Sequence, residues 1–146
     1  MKATLRQMNN AYEALKGATI NSLDHKEQAA IFRINRAIYA HVTRYDEERK
    51  DVSERLKPAD YEELIEINQR RLAGKCTNEE AVRCIVGINA HDRAVSKHLT
   101  PLLDEEYELK VEPIAEDTWR KVMKENSWPF EKYNAVDIFM VHEEEY

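Results

Sequence analysis

A chain of 146 residues with 28 acidic and 22 basic side chains carries a formal net charge of −6. Phosphate binding gains from concentrated positive charge, so this balance disfavours nucleic acid as the main partner. With 42% hydrophobic and 34% charged residues, three Gly and four Pro, the composition fits a single, mostly helical domain and argues against a turn-rich β-sandwich or barrel.

Leu5, Met8, Tyr12 and Leu15 fall on one helical face and predict a first helix over Thr4–Leu15, ended by Gly17. Ala18–Leu23 reads as a connector and Asp24 as a cap. From about Asp24 to Leu56 there is no Gly or Pro, and Ile31, Ile38, Tyr45 and Val52 recur every seven residues. Ile34 occupies the matching half-step, but the next half-steps are His41 and Glu48. A stripe that turns polar midway predicts a helix about 50 Å long that packs at one end and meets charge or water at the other. Phe32 and Tyr39 lie roughly 120° round the axis and supply a second apolar face. The N-terminal half is expected to be buried. The half from Tyr45 to Leu56 is expected to project toward solvent or a partner, its Asp46–Asp51 run held by surface ion pairs.

Lys57-Pro58-Ala59-Asp60 breaks the helix, and a third is predicted over Tyr61–Ala73, stopping at Gly74. Thr77-Asn78-Glu79-Glu80 matches a capping box for a fourth helix running to about Leu99, closed by Pro101. Tyr107–Glu112 alternates apolar and charged residues as a half-exposed strand does, with Ala135–Val141 or an edge on another subunit as its expected partner. A short helix is predicted over Asp117–Lys124. The apolar segment 135–141 stays open between helix and strand. The expected fold is mainly α: an antiparallel helical bundle around one long helix (about 24–56), filling residues 1–100, with a small strand-containing α+β segment over 101–146.

Chemistry-bearing patterns are sparse. Cys76 and Cys84 lack CxxC spacing and read as two reduced thiols, with Cys84 packed as a small apolar residue. Cys84, His91 and His98 share a helical face, but seven residues rise about 10 Å, too far for ligands that must lie within ~2.3 Å of one metal. The spacing therefore reads as a partly buried seam. Glu63-x-x-Glu66 and Glu48-x-x-Asp51 resemble the acidic pairs of helical nucleotide pyrophosphatases, although in reversed order. Glu-x-x-His pairs, HExxH, glycine-rich phosphate loops and GxSxG are absent from the sequence. Arg33, Arg44 and Arg55 repeat every eleven residues and could form a basic edge, but Glu48 and Asp51 interrupt it. No catalytic, cofactor-binding or metal-binding residue is expected, and no cofactor. The candidate interaction surface comprises Phe32, Tyr39, Arg44, Arg55, Tyr107, Leu109 and Val111. No stretch approaches the ~20 apolar residues of a membrane span, and Met1–Gln7 lacks a signal-peptide core, so a cytoplasmic protein without membrane association is expected.

The order of elements carries a resemblance. A Leu5…Leu15 helix leads to a long helix containing Arg44-Tyr45-Asp46-Glu47-Glu48-Arg49. Later come Leu102-Leu103-Asp104-Glu105-Glu106-Tyr107-Glu108-Leu109-Lys110-Val111-Glu112-Pro113-Ile114 and the apolar Val136–Val141 segment. This resembles an uncharacterised family of small phage and prophage proteins. The resemblance implies a protein of a bacterial host cell's cytoplasm or of the virion, with a morphogenesis or host-interaction role and no catalytic residues to carry over. The expected function is non-enzymatic, through contact with itself or another phage or host protein. An all-helical metal-dependent nucleotide hydrolase using Glu62, Glu63 and Glu66 is the alternative, and a nucleic-acid-binding regulator the second.

Overall fold

Three polar pairs set where the long elements begin. Thr4 and Gln7 close a reciprocal capping box, with Gln7 N–H donating to Thr4 Oγ1 at 3.2 Å and Thr4 N–H to Gln7 Oε1 at 2.9 Å. Asp24 and Glu27 repeat the device at 2.8 and 3.1 Å, and Thr77 and Glu80 at 3.1 Å in both directions. The computed structural model describes residues 1–142, and the fold over them is mainly α. In chain order the elements are β1 (Lys2–Thr4), α1 (Leu5–Leu15), α2 (His25–Arg55), α3 (Tyr61–Leu72), α4 (Asn78–Leu103), β2 (Glu106–Glu108), β3 (Ile114–Ala115), α5 (Glu116–Asn126), α6 (Phe130–Ala135), a 3-10 turn (Asp137–Phe139) and β4 (Met140–Val141). Gly17 and Gly74 follow α1 and α3 with φ of 74° and 71°, a conformation that costs glycine little.

The chain divides into two compact units. The first joins Met1–Tyr45 to the chain from Leu103 onward. Its strands correct the sequence expectation. The 106–108 strand pairs antiparallel with Lys2–Thr4, placing Lys2 opposite Glu108, Ala3 opposite Tyr107 and Thr4 opposite Glu106. The expected partner, 135–141, instead divides into the end of α6, the 3-10 turn and a short strand parallel to Ile114–Ala115. The alternation over 107–112 was therefore matched to the wrong edge, because strand pairing is a tertiary choice that local pattern cannot make. Met8, Ile31, Ile34, Ile38, Trp119, Val122, Val136 and Phe139 are buried in this unit. The Trp119 indole N–H meets the Phe139 carbonyl at 3.0 Å, which satisfies the polar end of a fully buried ring. Asn126, at the end of α5, accepts from Thr19 N–H at 2.7 Å and donates to Thr19 O at 2.7 Å, tying the 16–24 connector to that helix.

The second unit is Asp46–Leu102: the last turns of α2, all of α3, and α4. Val52, Leu64, Ile67, Cys84 and Leu99 form its core. The half of α2 from Tyr45 to Leu56 does not project as expected, since Val52 has no exposed surface. Its charged run is nevertheless solvent-facing and held by short-range pairs, Asp46 with Arg49 at 2.7 Å and with Lys50 at 3.1 Å. A second correction concerns Pro101, which lies inside α4 rather than ending it. Proline removes a single backbone donor, and two residues from a helix end few further bonds depend on that turn. Thr100 adds a side-chain donor to Ser96 O at 2.7 Å.

Candidate interaction surface

Cys84, His91 and Leu99 mark the buried side of α4. On a helix, residues two positions away point about 200° round the axis. Val82 and Val86 flank Cys84 at that spacing, so burying the thiol turns both valines outward, and they are 62% and 59% exposed. Val82, Val86, Ala90 and Ala94 then line one wall of an open groove of about 520 Å³. Leu56 and Pro58, from the segment after α2, line the other, with Leu64 and Gly87 between. Gly87 marks a close approach: a Cβ on it would lie 2.5 Å from Leu64 Cδ1, below any normal contact, so the end of the Leu64 side chain would have to shift. Glycine in a helix interior costs stability, and here it lets α3 pack against α4.

A charged rim and a buried histidine frame the apolar surface. Arg83 donates to Glu63 at 2.8 and 3.1 Å and to Asp60 at 2.8 Å. These bonds hold both carboxyls below their usual range and push the guanidinium further up. Arg70 makes a separate pair with Glu80 at 2.7 Å. His91 is 5% exposed, and its Nε2 lies 2.8 Å from the Ser53 carbonyl. Only a protonated Nε2 can donate to that oxygen, so the proton position follows from the partner. Ser53 O is one of the last carbonyls of α2, where helical partners run out: Leu56 N–H goes to Val52 O and Lys57 N–H to Glu54 O. The imidazole thus caps the C-terminus of one helix from the middle of another. The Tyr61 ring packs against it at a tilt of 56°, the centroids 4.8 Å apart.

The Cys84–His91–His98 spacing is a packing seam. Cys84 is buried near Asn68 Oδ1 at 3.6 Å, His91 caps α2, and His98 lies 3.5 Å from Glu48. Both cysteines are free thiols. Glu48 and His41, the polar half-steps of the long stripe, each meet a partner, since the His41 ring packs on Tyr107 at 4.6 Å. Among the acidic residues, Glu63 is taken up by Arg83, and Glu62 and Glu66 lie exposed. No group of three or more His, Cys, Asp or Glu residues is gathered to hold a metal among the described residues.

Of the residues expected to form an interaction surface, Leu109 and Val111 line one concavity of the first unit, and Arg44 lies close enough to Tyr107 for its charge to act on the phenol. Phe32 and Tyr39 are half-exposed in the first unit, Tyr39 with its ring 6.0 Å from that of Tyr12. Arg44 is exposed, and the half-buried Tyr107 donates to Glu105 at 2.9 Å. Leu109 is 3% exposed and its N–H donates to Met1 O at 2.7 Å, so it belongs to the core. Val111 is half-buried. Arg33 lines the same concavity with Ile34 and the 109–114 segment. Arg55, in the second unit, sits 3.8 Å from Asp51. The groove on α4 was not anticipated, although Val82 and Val86 stand about 200° round the helix from Cys84, which the sequence reads as packed.

Among the described residues no helix is long and apolar enough to cross a membrane. No family model, curated protein or solved structure matches the chain.

Proposed function

We propose that this chain is a non-enzymatic protein that acts by protein–protein contact, and that its docking surface is the apolar groove of the second unit. The observation that carries the reading is the exposure of Val82, Val86 and Leu56 around a continuous apolar concavity with an ordered charged rim. A stable domain gains nothing by leaving valines more than half exposed on both sides of a packed cysteine, whereas contiguous apolar patches are how interaction sites are built. The resemblance noted in the sequence supplies the biological setting of the proposal, a phage or prophage assembly or host-interaction role.

Photo-crosslinking in the native cell tests this. A photoreactive residue at Val86 should trap a partner with the yield falling when Val82 is changed to Glu. The same residue at Lys26, exposed on the first unit, serves as the control. Equal yields from the two positions would remove the groove from consideration.

A further inference from the structure

We propose that the partner seated on α4 is a second copy of this chain, with the two α4 helices antiparallel and Val86 opposite Val86. The proposal rests on the docking reading above and adds the occupant and the register. The outward face of α4 reads Glu79, Val82, Val86, Ala90, Arg93, spaced three and four residues apart, and all five are exposed. Glu79 and Arg93 lie seven residues to either side of Val86, about two turns and ~10 Å along the axis each way.

Antiparallel pairing about Val86 matches residues whose numbers are placed symmetrically around it. Glu79 of one copy then meets Arg93 of the other, twice by symmetry, as an isologous contact demands. Val82 meets Ala90, a large side chain against a small one, which lets the ridges interdigitate. Other registers lose this match. Centring one turn later, on Ala90, sets Val82 against His98 and leaves Glu79 opposite Pro101. Centring one turn earlier, on Val82, leaves Glu79 opposite Ile85 and Val86 opposite Asn78. Charge matching across an interface fixes register more than it sets affinity.

Neither Glu79 nor Arg93 forms an ion pair among the described residues, in contrast to Arg83, Arg70 and Glu80 nearby. The charges at the two ends of the apolar face are thus available, while those beside it are already satisfied within the unit.

The test is a charge exchange on the full chain, read by analytical ultracentrifugation over a dilution series with circular dichroism to confirm helix content. The wild-type chain should sediment as a dimer at tens of micromolar, and Val86→Glu as a monomer of unchanged helicity. Glu79→Arg or Arg93→Glu alone should weaken the dimer at least about tenfold, since each sets like charges together at both ends. Glu79→Arg combined with Arg93→Glu should restore it. A monomeric wild type, or a double variant no tighter than either single one, overturns the proposed register. If the wild type is monomeric while the Val86 crosslink traps a different protein, the second copy is refuted and the groove retained. If neither dimer nor crosslink forms, both readings fail.

Discussion

Substituting Gly87 by Ala measures directly how α3 and α4 fit. Alanine in a helix interior is favoured over glycine by about 1 kcal/mol. Against this, the new methyl would sit 2.5 Å from Leu64 Cδ1, so that side chain, only 2% exposed, has to shift and repack. Overpacking of this kind costs roughly 1–3 kcal/mol, so the net effect is a destabilisation of about 1 kcal/mol. The sign should reverse when the obstacle is removed. Leu64→Ala alone costs about 2–5 kcal/mol through lost burial and the cavity left behind. In that background Gly87→Ala keeps its helix gain without the clash and should stabilise by about 1 kcal/mol. The two substitutions are then coupled by about 2 kcal/mol, the range expected for residues in contact. Urea unfolding followed by circular dichroism is the assay, because Trp119 and Trp128 both lie in the other unit. If Gly87→Ala stabilises the wild-type chain as much as it stabilises the Leu64→Ala variant, the close approach argued for this site is wrong.

Ile38 has no exposed surface, so Ile38→Asp buries an unpaired carboxylate and should unfold the first unit, whereas Glu48→Ala removes a half-exposed contact to His98 and should cost under about 1 kcal/mol; thermal melts that rank them the other way would refute the stripe as core. His91→Ala leaves the Ser53 carbonyl without its donor and should cost about 2 kcal/mol or more in a urea titration, and a loss within error would show that water replaces the cap. Glu27 is held below its ordinary value near 4.5, chiefly by the Thr118 hydroxyl at 2.7 Å, then by the Asp24 N–H and Lys121. A carboxyl depressed in the folded state contributes stability that is complete above its unfolded pKa and lost as pH falls through the folded one. The melting temperature should therefore drop below about pH 4.5, with part of the slope absent in Glu27→Gln. Parallel curves for the two proteins would remove Glu27 as a source of the acid sensitivity.

Local chemistry determined the helices. A capping residue followed three positions later by Gln or Glu, a Gly-free and Pro-free run, and a glycine after two of the helices are each decided within a few residues of chain, by donors that need acceptors and by backbone angles. Thr4, Asp24 and Thr77 therefore announce their helices in the sequence alone, and Ile31, Ile34, Ile38 and Val52 announce their core face. Partnership was not decided there. Lys2–Thr4 pairs with Glu106–Glu108 across a hundred residues, a match that depends on which edges the packed helices bring together. Val82 and Val86 carry the same apolar signal as Leu99, yet which side of α4 is buried depends on where Leu64 and Ser53 stand when the helices close on Cys84, Gly87 and His91. Apolar residues all round a helix mean either a deep core or a surface waiting for a partner, and only the tertiary arrangement distinguishes the two.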